Sequence, residues 1–407
     1  MEATDRYTVI SADCHAGADL PAYREYLDPG YREDFDAWAA TFVNPYSDLT
    51  EPEAARNWDS ARRNADLDRE GVAGEVIFPN TIPPFFPRGS LAAPAPQGPR
   101  DVELRQAGLC AHNRWLAEFC SEAPERRAGV GQILLNDLDR AISEVARIAE
   151  LGLRGGVLLP GVVPGTGIPP LYAEHWEPLW SACEDLGVVV NHHGGNAGPA
   201  PEDDWDAAFA IWVYETPWWA HRILWHLILN GTLERHPGLR LVMTEQGSGW
   251  VPSILDSLDV AAERYGRAQS AIARFAGHTA GSLPRRPSEY WRRQCWVGAS
   301  FMRRSEVELR AGIGLDRIMW GTDYPHFEGT SPYTREALRF TFADVAPEEV
   351  AAMVGANAAE VYGFDLALLA PLVSRIGPTV AEVAEPLAKP PPDARSTAFE
   401  RDPIKAW

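Results

Sequence analysis

Several short apolar runs in this sequence end in side chains of the kinds that bind divalent cations. The first run, YTVISADCH at 7–15, ends with Asp13 and His15, which lie two residues apart. Residues i and i+2 of a strand point to the same side, so this carboxylate and this imidazole can face one point while Cys14 faces away. Such a pair suits a metal ion. A plain Asp–His hydrogen bond at a strand end is the alternative that the fragment by itself leaves open.

Seven more apolar runs follow along the chain. They are GEVIFPN (74–80), AGVGQILLN (128–136), GGVLLPG (155–161), GVVVNHHGG (187–195), LRLVMTEQG (239–247), CWVGAS (295–300) and RIMWGTDYPH (317–326). Continuous apolar runs are typical of strands that are covered on both faces. Stretches with helical periodicity lie between them, and the clearest are 139–153, 171–187 and 216–238.

Strands that alternate with helices pair in parallel. Eight such units predict an α/β fold, a (β/α)₈ TIM barrel with inserted loops and a C-terminal extended tail. A doubly wound open sheet is the alternative, but no run is followed by a GxGxxG pattern. We predict one barrel domain over residues 1–368 and a proline-rich C-terminal arm over 369–407, which is either flexible or laid across a neighbouring subunit.

The active site of such a barrel is built from the carboxyl ends of the strands. Polar residues stand at most of these ends, namely Asp13, His15, Asn80, His192, His193, Glu245, Gln246, Ser300, Asp323 and His326. A closed barrel also brings the first and eighth strands side by side. This convergence of titratable groups predicts a site for a divalent cation where the strands stop.

Four motifs resemble the amidohydrolase superfamily, specifically the branch that contains aminocarboxymuconate semialdehyde decarboxylase and γ-resorcylate decarboxylase. They are ADCH (12–15), NHHGG (191–195), HPGLRLVMTEQGSGW (236–250) and RIMWGTDYPHFEGTSP (317–332). The resemblance extends to about residue 365 and implies a (β/α)₈ barrel that holds one divalent ion. The ligands that it implies are Asp13, His15, His193 and Asp323, with His192 left open as an alternative to its neighbour. Two imidazoles and two carboxylates suit Zn²⁺ first, and Mn²⁺ also fits.

The residue at the end of the sixth strand bears on the reaction. Many of the decarboxylases carry a histidine there, where this chain has Glu245. An ionised carboxylate, with a reference pKa of about 4.3, is a poor proton donor to carbon but suits a base for metal-bound water. The sequence therefore favours hydrolysis of an amide, lactone or related bond. Non-oxidative decarboxylation of an aromatic or unsaturated acid is the alternative, and a non-catalytic barrel is the third.

Catalytic roles are predicted for Asp323, Glu245 and His326. The proline-rich segment 78–100 cannot form a helix or a central strand, so we predict that it roofs the site. A second insertion, 194–219, follows the fifth run. Arg154 could hold a substrate carboxylate bidentately, although a salt bridge at the strand start is the alternative. Substrate contacts are predicted for Asn80, Phe85, Phe86, Arg154, Trp219 and Trp250.

Composition limits the class of protein and its partners. The chain has 407 residues with a formal net charge of −20, so phosphates of nucleic acid or of an anionic membrane would repel it. The first residues, MEATDRYTVI, have neither a basic region nor a long apolar run, so we expect no secretory signal, and we expect no membrane span because no apolar stretch reaches about 18 residues. Its five scattered cysteines indicate reduced thiols. We predict a cytoplasmic homodimer or higher homo-oligomer that acts on a small molecule. Since Lys389 and Lys405 are the only lysines, a Schiff-base lysine is excluded before them.

Overall fold

Eight parallel strands follow one another in chain order around the sheet of the computed structural model. The structure describes residues 5–46, 49–195, 198–199, 206–266 and 283–400. Part of the predicted insertion 194–219 and the end of the predicted arm, 401–407, lie outside these described residues. The strands are β1 Val9–Ala16, β2 Val72–Pro79, β3 Arg127–Gln132, β4 Gly156–Leu158, β5 Val190–His193, β6 Leu241–Thr244, β7 Cys295–Ser300 and β8 Ile318–Gly321.

Helices lie between successive strands and follow the last one. They are α1 Tyr23–Tyr26, α2 Arg32–Ala39, α3 Ser60–Glu70, α4 Pro99–Ser121, α5 Leu138–Glu150, α6 Glu177–Asp185, α7 Asp206–Leu229, α8 Thr232–Arg235, α9 Val251–Gly266, α10 Pro287–Gln294, α11 Arg304–Glu308, α12 Arg310–Ile313, α13 Thr334–Phe342, α14 Pro347–Ala351, α15 Asn357–Tyr362, α16 Leu366–Ile376 and α17 Val380–Val383. The predicted helices 139–153 and 171–187 correspond to α5 and α6, which are both shorter.

The sheet closes on itself where β1 meets the chain just beyond β8. The backbone N–H of His15 donates to the carbonyl of Tyr324 at 2.7 Å, and that of Asp323 donates to the carbonyl of Asp13 at 2.8 Å. Cys14 and Tyr324 form a parallel bridge between the two segments. This closure confirms the predicted (β/α)₈ TIM barrel and rules out the open doubly wound sheet, whose edge strands do not meet.

Two apolar layers hold the barrel together. The inner cluster fills the barrel interior with side chains from most of the strands, including Ile10, Val76, Val130, Val242 and Met319, all fully buried. The outer cluster fills the space between the sheet and the helices. Strands buried on both faces explain why the sequence shows continuous apolar runs rather than alternation.

Helix α7 differs from the predicted helix at 216–238. It begins at Asp206, inside the predicted insertion, and runs through Pro217 to Leu229. Proline removes one helical hydrogen bond, the one to the carbonyl four residues earlier. That residue is Val213, which is 50 % exposed, so the interruption lies on an exposed turn of the helix. The helix therefore continues through a residue that usually ends one.

The C-terminal segment lies on the barrel of its own chain as far as the structure describes it. Leu369 and Val373 of α16 pack in the inner cluster, and Ala398 and Phe399 pack against Ala337 of α13. The predicted boundary after residue 368 falls within α16, because the apolar face of this helix is needed to cover the barrel interior. The division into two units stays a prediction. Among the described residues, no helix combines the length and the apolarity that crossing a membrane requires.

Candidate metal centre

An irregularity in β1 turns Asp13 and His15 into the barrel. In the lower part of the strand, Ile10 points into the inner cluster. The register with β2 shifts just before Cys14, and beyond that shift Cys14 packs in the outer cluster. Such a bulge reverses the faces of a strand. Even-numbered residues therefore face inward before the shift, and Asp13 and His15 face inward after it.

Four buried side chains from β1, β5 and the end of β8 meet at the carboxyl end of the barrel. The Nε2 atom of His15 lies 3.3 Å from Oδ1 of Asp13 and 3.1 Å from Oδ1 of Asp323. The Nε2 atom of His193 lies 3.4 Å from the same Asp13 oxygen. Potential ligand atoms of Asp13, His15, His193 and Glu245 all lie within 4.8 Å of one another.

The imidazoles of His15 and His193 each direct one nitrogen, Nε2, at this cluster. The Nδ1 atoms of His15 and His193 each lie 3.0 Å from a backbone carbonyl, that of Pro79 and that of Gly194. When the protonated nitrogen of a neutral imidazole is Nδ1, which donates to a carbonyl, Nε2 keeps a lone pair that can bind a metal. The Nε2 atom of His15 and Oδ2 of Asp323 are buried without a hydrogen-bond partner among the described residues. Because buried polar atoms are normally satisfied, these residues fit a divalent ion.

The electrostatics of the cluster favour positive charge at its centre. Burial opposes ionisation of Asp13, but the adjacent His15 and His193 imidazoles hold its pKa well below the usual range. Burial likewise opposes a charged His15, but Asp13 and Asp323 raise its pKa well above the ordinary value. Against the effect of burial, His326 and His15 lower the pKa of Asp323. Ionised carboxylates around a positive centre are what a bound divalent cation requires.

The two histidines that end β5 face opposite sides of the strand. His193 points to the cluster, in line with the resemblance. His192 points to the outside of the barrel, where burial lowers its pKa to about 3. Its carbonyl accepts a hydrogen bond from Nε2 of Gln246 at 2.7 Å. The structure therefore brings His193, and not His192, to the candidate metal centre.

Glu245 follows β6 directly and has a left-handed backbone, with φ of 53°. Such a conformation is uncommon for a residue other than glycine and often occurs at functional sites. It places Oε2 of Glu245 3.3 Å from Nδ1 of His193, although the side chain remains 24 % exposed. Burial in the barrel mouth raises the pKa of Glu245 to about 8, with a further rise from Asp323 and Asp13 and an opposing effect from His193.

Asp323 and His326 lie in the loop after β8 rather than in the strand. Asp323 has φ of 61°, and its Oδ1 lies 2.9 Å from Nδ1 of His326. The Nε2 atom of His326 lies 2.9 Å from Oδ1 of Asn80, whose amide nitrogen donates to Asn57 at 2.7 Å. The His326 ring also stacks on His15, with centroids 4.2 Å apart. These bonds hold the predicted catalytic pair and Asn80 together beside the cluster.

Two residues at the site were missing from the predicted set. The Ser300 hydroxyl, at the end of β7, donates to Oδ2 of Asp13. A carboxylate oxygen of Glu328 lies within 4.8 Å of ligand atoms of Glu245 and Asp323, and its Oε2 is buried without a partner among the described residues. Ser300 ends the seventh apolar run, and Glu328 lies within the motif that carries Asp323. Both positions could therefore have been predicted from the sequence as site residues.

The structure places Arg154 away from the metal cluster. This residue precedes β4, so it lies at the amino end of the barrel, opposite the cluster. Its guanidinium donates to the backbone carbonyls of Arg127, Gly363 and Glu125 at 3.1, 3.0 and 3.2 Å. These bonds join the loops at the amino end of the barrel and do not support the substrate contact predicted for Arg154, which stays a prediction.

The predicted aromatic contacts divide among three places. Phe85 packs against Phe35 and Trp38, with ring centroids 6.3 and 5.7 Å apart, and its substrate contact stays a prediction. Trp250 stacks on the imidazole ring of His221, with ring centroids 3.9 Å apart. Trp219 lines a cavity with His192 on the outer side of β5. These contacts of Trp219 and Trp250 are not with the residues of the metal cluster, and the substrate contacts of both tryptophans stay predictions.

Phe86, in contrast, lines a cavity of about 560 Å³ among the loops that follow β2 to β5. Leu135, Gly195 and Trp212 also line this cavity, and Gly195 lies two residues after His193. The volume is in the range of small-molecule sites. The proline-rich segment 78–100 thus forms one wall of a cavity at the barrel mouth, while a role in covering the substrate stays a prediction.

Comparison with known proteins places the chain in a family. Residues 12–364 match the amidohydrolase family. The chain is 28 % identical to the γ-resorcylate decarboxylase of Rhodococcus jostii over 293 residues. This aligned region covers 68 % of this chain and 82 % of that protein.

Solved structures share the fold. The 5-carboxyvanillate decarboxylase of Sphingomonas paucimobilis has a TM-score of 0.65 at 19 % identity and covers 88 % of this chain and 100 % of its own. The dihydroxybenzoic acid decarboxylase of Polaromonas, solved with manganese and 2-nitroresorcinol, has a TM-score of 0.62 at 19 % identity and covers 88 % and 97 %. With the barrel, the cluster at its carboxyl end and the family match in agreement, the chain belongs to the amidohydrolase family and is an enzyme of that family.

Proposed function

We propose that this chain is a divalent-metal-dependent, non-oxidative decarboxylase of a small aromatic carboxylic acid. The observation that carries the proposal is the similarity to γ-resorcylate decarboxylase over 82 % of that protein's length. A second relative, the 2-amino-3-carboxymuconate-6-semialdehyde decarboxylase of Dictyostelium discoideum, is 25 % identical over 77 % of its length. Both relatives favour the decarboxylase alternative over the hydrolase that the sequence argument preferred.

The argument for hydrolysis depended on an ionised Glu245, and burial weakens that condition. Burial raises the pKa of the Glu245 carboxyl to about 8, which favours the protonated form at neutral pH, whereas a cation bound at the cluster would act in the opposite direction. Decarboxylation breaks the bond between a ring carbon and the carboxylate, releases CO₂ and leaves an electron pair that must take up a proton. A protonated Glu245 beside the cluster is suited to supply that proton.

The proposed metal ligands are Asp13, His15, His193 and Asp323. A bound divalent cation would polarise a substrate oxygen and stabilise negative charge that develops next to it. Ser300 fixes the orientation of the Asp13 carboxylate through its hydroxyl. This arrangement leaves Glu245 on the exposed side of the cluster, where a substrate would approach.

The identity of the cation belongs to the proposal as well. The sequence favoured Zn²⁺ because of its two imidazoles. The carboxylate-rich surroundings, with Glu245 and Glu328 near Asp323, and the manganese in the structure of the dihydroxybenzoic acid decarboxylase support Mn²⁺. We propose Mn²⁺ as the working ion, and elemental analysis of the purified protein tests this choice directly.

A substrate panel tests the reaction class. Purified protein is incubated with 2,6-dihydroxybenzoate, 5-carboxyvanillate, and amide and lactone substrates in ¹⁸O-labelled water. We expect CO₂ release from an aromatic acid, with deuterium on the vacated ring carbon when the solvent is D₂O. The His193→Ala variant serves as the control for metal dependence. Incorporation of ¹⁸O into an amide or lactone product without CO₂ release from any acid would establish hydrolysis instead.

A further inference from the structure

A second cavity lies on the outer side of β5, away from the metal centre. It has a volume of about 250 Å³ and lies between the loop that follows β4 and helix α7. His192 reaches it from β5, while Trp219, Arg222 and His226 reach it from α7. Tyr172, which is 51 % exposed, stands at its edge. The cavity is separate from the cluster because His192 and His193 point to opposite faces of the strand.

Two imidazole rings, those of His192 and His226, line this cavity. Their Nδ1 atoms are buried below the accessible surface and have no hydrogen-bond partner among the described residues. The imidazoles therefore contribute ring surface to the cavity wall, next to the polar group that Arg222 supplies.

Arg222 gives the cavity its positive charge. Its guanidinium lies 4.5 Å from the ring centroid of Trp219 and 5.9 Å from that of Trp218, and it makes no hydrogen bond or ion pair with any described residue. Among the described residues that line the cavity there is no aspartate or glutamate. In a chain with a net charge of −20, a half-buried arginine that pairs with no carboxylate of the described residues is unusual. A guanidinium in this setting is complementary to a carboxylate or another oxyanion.

The remaining walls are apolar. Ile168, Leu171 and Ile223 line the cavity next to the Trp219 ring. These walls suit a flat hydrocarbon body better than a fully hydrated inorganic ion. The cavity also shares Gly161 and Ile168 with the 560 Å³ cavity at the barrel mouth. A bound molecule would therefore lie one loop away from the larger cavity.

We propose that this cavity is an accessory binding site for a small aryl carboxylate, whose carboxylate is held by Arg222 and whose ring lies along Trp219, beside the His192 and His226 rings. The site does not depend on which reaction the metal centre catalyses. It goes beyond the proposed function, since it adds a second place where an aromatic acid binds.

Calorimetric titration with benzoate tests the site. The proteins are the metal-loaded wild type, His193→Ala, Arg222→Gln and Arg235→Gln, a control that removes a nearby exposed arginine which lines no part of this cavity. We expect an Arg222-dependent binding event in the wild type and in His193→Ala, weakened at least about tenfold by Arg222→Gln and unchanged by Arg235→Gln. Arg222→Lys, which keeps the charge, should retain part of the affinity and so separates charge from packing.

The outcomes separate the two proposals. A binding event lost only in His193→Ala belongs to the metal centre, and one lost only in Arg222→Gln belongs to the accessory site. Soaking crystals with 4-bromobenzoate should add an anomalous bromine peak beside Trp219. A parallel titration with inorganic phosphate distinguishes the source of the anion, and Arg222-dependent binding of phosphate without benzoate would replace the aryl carboxylate. If Arg222→Gln alters the binding of neither probe and no bromine peak appears, the accessory site is refuted.

Discussion

The barrel contains two buried polar clusters that differ in how fully their atoms are paired. Around Glu75 of β2, both carboxylate oxygens accept hydrogen bonds from Arg63 at 2.7 to 3.0 Å, and Arg127 lies 3.5 Å away. All three side chains are fully buried. Nε of Arg127 has no hydrogen-bond partner among the described residues, but the Glu75 carboxylate itself is fully paired. At the candidate metal centre, in contrast, both Nε2 of His15 and the carboxylate oxygen Oδ2 of Asp323 have no hydrogen-bond partner among the described residues.

The difference separates a structural cluster from a functional one. Glu75 faces the outer layer, and its arginine Arg63 also donates to the carbonyl of His15 at 2.8 Å, which supports the end of β1. The metal centre faces the barrel interior and carries left-handed backbone at Glu245 and Asp323. A paired buried charge contributes to the fold, whereas converging unpaired atoms on strained backbone are typical of a site that binds something else.

The largest effect is expected from removing one imidazole of the metal centre. His193→Ala should lower the metal content to near zero and reduce turnover by about a thousandfold, because the cation provides several kcal/mol of transition-state stabilisation. The neighbouring variant His192→Ala should keep its metal, since that side chain faces away. Elemental analysis and circular dichroism of both variants provide the measurement. A folded His193→Ala protein that still binds one ion per chain would contradict the assignment.

Breaking the paired cluster should affect stability instead. Glu75→Gln leaves two buried arginines without their carboxylate, and we expect a loss of about 3–5 kcal/mol in the free energy of unfolding. Glu53→Gln is the control, because its ion pair with Arg62 lies at the surface and should contribute less than about 1 kcal/mol. Denaturant unfolding measures both. Equal losses in the two variants would show that burial does not distinguish these pairs.

Ser300→Ala tests the support of the metal centre. The variant removes the hydroxyl that donates to Asp13, and we expect metal affinity to fall by about 10–100-fold while the fold is kept. Competition with a fluorescent chelator measures the affinity. Ser253→Ala, on the outside of α9, is a matched control that should bind metal like the wild type. An unchanged affinity in Ser300→Ala would remove this residue from the site.

The pH profile distinguishes two roles of Glu245. If its carboxyl donates the proton, turnover should fall as pH rises through about 8, since the group loses its proton above its raised pKa. If it acts as a base for water, turnover should rise over the same interval. The donor role predicts a decline of about tenfold per pH unit above the pKa, which Glu245→Gln should abolish together with most activity. Glu245→His, with a donor of lower pKa, should move the decline to lower pH.

Much of the candidate site followed from the sequence, because strand ends in a parallel barrel must meet. The apolar runs and their alternation with helices predicted the barrel, and the polar residues that end the runs predicted where a cation would bind. Asp13, His15, His193 and Asp323 lie together in the structure for that reason. Cytoplasmic location and homo-oligomer assembly stay predictions.

Tertiary structure alone decided the points that depend on orientation and burial. The spacing of Asp13 and His15 showed that they share a side of the strand, but the register shift in β1 determined that this side is the interior. Arg154 precedes β4 and lies at the amino end of the barrel, whereas contact with a substrate at the metal centre would require a position at the carboxyl end. The charge of Glu245 could not be read from its type, because desolvation by distant parts of the chain raises its pKa to about 8. Residue types and periodicity are local properties, whereas dielectric surroundings and the direction of a side chain depend on what the rest of the chain packs against it.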